Sequence, residues 1–177
     1  HYYVYGNDGT DTLAAKAAPA YNVYGVMYNW TAAMNGLPSS SNNPSGVRGA
    51  CPEGWHLPAD AEWKQLEMCL GMSLEETDFG GFRGVDEGGK LKETGFVHWV
   101  DPNTGATNST GFTALPGGWR DDNGDLTGMG DTGCWWSTTE YDESSAYKRA
   151  LTTWEATIER ENYFKECAFS IRCVRDH

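Results

Sequence analysis

The amino-acid sequence predicts a loop-rich α+β fold, and three features carry that expectation. The 177 residues include 22 Gly, 8 Trp and 9 Tyr but only 21% charged residues, a composition poor in helix formers and rich in turn formers and rings. Two stretches, 23–34 and 60–70, repeat apolar positions at spacings of three and four, the periodicity of an amphipathic helix. Elsewhere short extended pieces alternate with Gly, Asn, Asp and Pro, the punctuation of strands and turns. A chain of this length suits one domain with a real core, spanning 1–177.

Tyr2 to Ala20 reads as strand, turn and loop, with Asn7-Asp8-Gly9 as the turn signal. Val23 to Met34 reads as a helix that places Val26, Trp30, Ala33 and Met34 on one side and ends at Asn35-Gly36. Pro38 to Gly46 is a polar loop. The second helix, Asp60 to Leu70, brings Trp63, Leu66, Glu67 and Leu70 to one face with Glu62 in its first turn. Cys69 on that helix reads as a small buried hydrophobe. From Phe79 to Ser109 the chain is Gly- and Asn-rich ordered loop, in which Gly89 to Trp99 is the piece expected to pack. Phe112 to Leu115 reads as a strand entering a tight turn at Pro116 to Arg120, and Asp122-Asn123-Gly124-Asp125 as a hairpin turn. The remaining strand candidates are 135–138, 146–152 and 167–174.

Charge excludes some partners. A formal net charge of −12 repels phosphate backbones and anionic lipid, so nucleic acid is not expected. No apolar run of about 18 residues exists, so no direct membrane insertion is expected. The cysteines, Cys51, Cys69, Cys134, Cys167 and Cys173, form no CxxC and no zinc spacing, and their odd number leaves at least one unpaired in a monomer.

Several ordered motifs point to a family. They are Tyr24-Gly25-Val26-Met27-Tyr28-Asn29-Trp30, Cys51-Pro52-Glu53-Gly54-Trp55-His56-Leu57-Pro58, Asp60-Ala61-Glu62-Trp63 and Gly89-Lys90-Leu91-Lys92-Glu93-Thr94-Gly95. Further along come Ala114-Leu115-Pro116-Gly117-Gly118, Trp135-Trp136-Ser137 with Glu140-Tyr141, and Phe169-Ser170 with Arg172-Cys173-Val174-Arg175-Asp176. Together they resemble the Fibrobacter succinogenes major paralogous domain, a secreted module related to C-type lectins, formylglycine-generating enzymes and retroelement-diversified variable proteins. The resemblance implies a C-type lectin-like fold with two helices around a twisted, mostly antiparallel sheet and long ordered loops. It implies an extracellular or cell-surface location, associated with the outer membrane, and a further N-terminal strand before the point where this chain starts. It also implies a disulfide between Cys51 and Cys173, which lie inside two of the motifs. Family members carry Ser or Thr where Ala59 stands, a departure expected to cost about 1 kcal/mol of helix capping.

In the variable relatives the changeable residues lie in a C-terminal segment held by a rigid frame, and the corresponding segment here is Tyr141 to Cys167. Its candidate ligand-binding residues are Tyr141, Asp142, Glu143, Tyr147, Lys148, Trp154, Glu155, Glu159, Glu161, Phe164 and Glu166, and the segment also contains Tyr163 and Lys165. Mixed charge with interspersed aromatics is the composition of a surface that binds a protein or glycan ligand on a cell surface. Tyr147 and Tyr163 fit either that surface or the core, whereas Trp135 and Trp136 read as core and Trp154 as an exposed anchor.

No catalytic role is expected and no cofactor. Asp121-Asp122-Asn123-Gly124-Asp125 lacks the later Gly and Glu of an EF-hand, so it would hold at most an adventitious calcium ion, and Asp101-Pro102-Asn103 reads as an ordinary turn. The copper-binding cysteine pair of formylglycine-generating enzymes is not reproduced. Cys51 beside His56 is no thiol and base if the sulfur is bridged. His98 reads as structural, and Glu62, Glu67 and Glu140 have no spacing that demands a glycosidase pair. A divergent catalytic relative acting on a surface polymer, and a structural spacer, stand as the alternatives to recognition.

Overall fold

The computed structural model describes residues 1–7 and 11–176. In chain order it contains β1 (Tyr2–Tyr3), α1 (Thr12–Ala17), α2 (Pro19–Tyr24), β2 (Met27–Asn29), α3 (Trp30–Met34), β3 (Trp55–His56) and α4 (Asp60–Leu70). Then come α5 (Leu74–Thr77), β4 (Gly81–Arg83), α6 (Glu87–Leu91), β5 (Gly117–Arg120) and β6 (Leu126–Met129). The C-terminal third is β7 (Thr132–Glu140), β8 (Ser145–Thr152), β9 (Ile158–Phe164), β10 (Ala168–Phe169) and β11 (Val174–Arg175). The mixed α+β class holds. A mostly antiparallel sheet runs β1-β2-β10-β5-β7-β8-β9-β4, with β6 on β5 and a separate β11-β3 ribbon. Gly118 and Gly133 join β5 and β7 in parallel.

Strand β7 is buried from Thr132 to Thr138 because both faces of the sheet are covered there. Its adjacent tryptophans point opposite ways, as strand geometry requires. Trp135 joins Trp63, Leu91, Trp99, Leu151 and Ile158. Trp136 joins Trp30, Met34, Val47, Leu57 and Phe169 on the other face. Both tryptophans are therefore core. The expected Cys51–Cys173 disulfide is present, tying the approach to β3 to the segment before β11 across 122 residues. Closing so long a loop restricts the unfolded chain and contributes about 2–5 kcal/mol.

Helix α4 has the boundaries its periodicity predicts. Ala59 offers no side-chain acceptor, but Thr139 Oγ1 on β7 accepts from Asp60 N at 3.0 Å, and Glu62 Oε2 accepts from Ala59 N at 2.9 Å. The missing cap is thus supplied by a neighbouring strand.

Other expectations fail for identifiable reasons. The helix expected over 23–34 is interrupted: Gly25, at φ 75, ends α2, and Met27–Asn29 pairs with β1 and β10 before the Asn29 side chain caps α3. It does end at Asn35, in the left-handed region at φ 51. The Ala-rich stretch read as loop is helical, started by the Asp11 side chain and restarted at Pro19. The strand expected at 112–115 falls instead on Gly117–Arg120, where a Cβ on Gly118 would lie 2.3 Å from Thr127 O of β6. The hairpin turn at 122–125 joins β5 to β6 as expected. Cys69 is exposed, because α4 turns Asp60, Trp63 and Glu67 inward instead. Only α4 exceeds six residues among the described helices. None is long and apolar enough to cross a membrane. The expected turn residues Asp8 and Gly9 lie outside the described residues.

Candidate functional site

The segment 141–167 is mainly the β8–β9 hairpin, and its inner face rests on charge rather than hydrocarbon. Arg149 on β8 donates from Nε to Glu67 Oε1 and from Nη1 to Asp60 Oδ1 at 2.7 Å. Arg160 on β9 donates to both Asp60 oxygens at 2.9 Å, and Arg83 on β4 donates to Glu67 Oε2 at 2.6 Å. All five side chains are buried. Burial alone would raise the Asp60 pKa, but its hydrogen bonds and charge interactions with Arg160 and Arg149 hold it well below the usual carboxylate range. Burial also pushes Arg83 down to about 10, so it remains a cation at neutral pH.

The predicted ligand residues fall into three groups. Tyr141, Asp142 and Glu143 form the β7–β8 turn, and Phe164 and Glu166 lie beside it because Phe164 pairs with Ser145. Tyr141, Asp142, Glu143, Phe164 and Glu166 are exposed. Tyr147, half-buried, stacks edge-on against Tyr141 and lies under the Arg160 guanidinium. The second group is mid-strand. Lys148 is buried and ion-paired with Glu159, and Glu161 is half-buried across from it, so this group is part of the sheet's own packing. Tyr163, 40% exposed, lies near Lys148 and packs edge-on against Phe169. The third group, Trp154 and Glu155, is at the opposite tip, where β8 turns into β9. Eight residues of β8 separate the two tips, which at about 3.3 Å per residue amounts to roughly 25 Å.

Behind Trp154 the backbone is tightly held. Thr153 is fully buried: its N donates to Asp131 O at 2.8 Å, its O accepts from Thr104 N at 2.7 Å, and its Oγ1 accepts from Asn103 N and donates to Val100 O. Lys92 is also fully buried, and its ammonium donates to Thr104 O at 2.9 Å and to Thr152 O and Glu155 O at 2.8 Å. Burial pushes the Lys92 pKa down to about 8, which leaves it charged at neutral pH with three acceptors for its three donors. Asn103, at φ 43, donates through Nδ2 to Glu93 O and Gly95 O. Trp154 itself is 57% exposed.

These supports were not among the sequence candidates. A lysine inside Gly89 to Gly95 gives no sign that it is internal, and only its place between apolar Leu91 and Trp99, both buried, hints at it.

Other chemistry is accounted for locally. His56 is buried between two acids, with Nδ1 2.6 Å from Asp176 and Nε2 2.7 Å from Glu62. Burial alone would lower its pKa, but the hydrogen bonds to Glu62 and Asp176 raise it above the ordinary value. Both ring nitrogens are thus engaged within the protein. His98 hydrogen-bonds Glu93. In the β5–β6 turn Asp125 N donates to Asp121 Oδ1 at 2.8 Å. Among the described residues no three or more His, Cys, Asp or Glu gather as a metal site.

The profile of the Fibrobacter succinogenes major domain matches residues 2–175. Neither a curated protein nor a solved structure matches the chain. With the motifs, the bridged cysteines and a profile match over nearly the whole length, the chain belongs to the Fibrobacter succinogenes major domain family.

Proposed function

We propose that this chain is a non-catalytic recognition module with a C-type lectin-like fold, working outside the cell or on its surface and binding a protein or glycan ligand through the Trp154 tip. The observation that carries the reading is a large aromatic, 57% exposed, on a backbone whose neighbours Thr153 and Lys92 are fully buried and hydrogen-bonded. Such an anchor loses little conformational freedom on binding, so more of its contact energy goes into affinity. The Cys51–Cys173 disulfide supports an oxidising compartment. If the segment 141–167 is diversified by a retroelement, variation is compatible with the exposed tips and not with Arg149 or Arg160, which hold the hairpin to α4.

The test is a glycan and peptide array read with wild type and Trp154→Ala, beside an activity screen on the same sample. Trp154→Ala should weaken binding by about 2 kcal/mol, roughly 30-fold, with thermal stability nearly unchanged. A large stability loss with affinity preserved in the folded fraction would sink the assignment, and saturable turnover abolished by one polar substitution in a folded variant would favour the catalytic alternative.

A further inference from the structure

Away from the Trp154 tip, a groove of about 780 Å³ lies between α4, the loop at Asn43 and Pro44, and the β3–β11 ribbon. Its volume is that of a small-molecule site, and Trp63, Leu66 and Phe112 give it apolar walls. Most of its polar groups are already satisfied. His56 holds Glu62 and Asp176, and Asn43 Nδ2 donates to Gln65 Oε1 at 2.6 Å.

Two groups are not. The Arg172 guanidinium lies 4.1 Å over the Phe112 ring and donates through Nη2 to Phe112 O at 2.9 Å, yet no carboxylate among the described residues pairs with it. Arg172 is exposed at the groove, and partial burial lowers its pKa. Exposed Arg175 on the rim adds a second positive charge with no ion-pair partner among the described residues. Trp63, 4% exposed, has an indole N–H with no acceptor among the described residues. What the groove lacks is one anion and a body of hydrocarbon. A peptide, with its row of main-chain amides, would find few open polar partners here.

We propose that this groove binds a small apolar carboxylate, its acid group against Arg172 and its aromatic or branched hydrocarbon body against Trp63, Leu66 and Phe112. This goes beyond recognition at the Trp154 tip and does not depend on it.

Cys69 supplies a local reporter, because it lines the groove as an exposed free thiol while Cys134 and Cys167 are buried. Alkylation of Cys69 by iodoacetamide, followed by peptide mass spectrometry, reads occupancy directly. 4-Phenylbutyrate at about ten times its Kd should slow that alkylation about tenfold, and its neutral amide should not. Arg172→Met should abolish protection. Should that variant fold poorly, Leu66→Glu sets a like charge in the wall from half-buried α4 and should abolish protection with Arg172 intact. Trp154→Ala should keep protection in full, so loss of ligand binding on the array and loss of groove occupancy are separate results. An unchanged Cys69 rate at millimolar 4-phenylbutyrate, equal protection by the amide, or protection only by a peptide would each overturn the proposal.

Discussion

Trp154 at one tip of the β8–β9 hairpin and Tyr141 at the other are exposed to nearly the same degree, 57% and 56%, yet the chain behind them is held differently. The Trp154 tip is tied by Lys92, 0% exposed, whose ammonium reaches three carbonyls inside the protein. The Tyr141 tip is tied by Lys165, whose ammonium makes a similar number of bonds, to Glu140 Oε1, Asp142 O and Glu143 O, all at the surface. A buried charge-assisted bond has no water to replace it, whereas a surface bond does. Equal exposure therefore conceals unequal preorganisation, and it is the latter that favours Trp154 as the anchor.

Both tips stand on the same ionic floor, so the largest effect should not distinguish them. Asp60→Asn leaves Arg149 and Arg160 short of counter-charge and should cost about 3–5 kcal/mol, with amide exchange rising at 141–144 and 153–157 together. The pH dependence follows from the depressed Asp60 pKa. Its contribution is complete above the unfolded value of about 3.9 and is lost as pH falls through the lower folded value. Wild type should thus lose stability on acidification below about pH 4, and Asp60→Asn should show a shallower acid slope in thermal denaturation. Equal slopes would remove Asp60 from the floor.

Lys92→Met should separate the tips. It strands three buried carbonyls, each worth about 1–3 kcal/mol when unsatisfied; partial relaxation leaves a loss of about 3 kcal/mol, roughly 6–12 °C in Tm. Exchange should rise at 100–106 and 153–157 but not at 141–144, and array binding should weaken with it. Uniform loosening would mean that Lys92 stabilises the whole domain and not the Trp154 tip.

What the sequence disclosed depended on whether the partner was local. Helix α4 was legible because its apolar spacing and its ends are written within eleven residues, and the disulfide because both cysteines sit inside recognisable motifs. The exposure of Trp154 followed from polar neighbours and the absence of a motif around it. Strand β9 was missed because its inward residues are Ile158, Arg160 and Asn162, an alternation that hides itself by putting an arginine in the core. That arginine is inside only because Asp60 meets it from 100 residues away. Lys148 entered the candidate surface for the converse reason, since nothing local shows that Glu159 folds over it. The stretch 23–34 misled because one apolar pattern serves the end of a helix, a strand and then a second helix, divided where Gly25 ends α2 and Met27–Asn29 pairs with β1 and β10.

The smallest effect is expected at Lys165, and it carries the comparison furthest. The Tyr141 turn has support of its own: Asp142 Oδ1 accepts from the N and Oγ of both Ser144 and Ser145 at 2.7–2.9 Å. Those bonds hold the Asp142 pKa down to about 2, so they persist at any physiological pH. Lys165 adds its ammonium to this turn and lies 4.8 Å over the Trp30 ring. Lys165→Met keeps most of the stem that covers Trp30, and water can reach the carbonyls it abandons. The cost should stay below about 1 kcal/mol, with exchange at 141–144 rising only slightly and array binding unchanged. A loss matching that of Lys92→Met, measured in the same buffer, would show that burial of the anchoring lysine is not what separates the two tips.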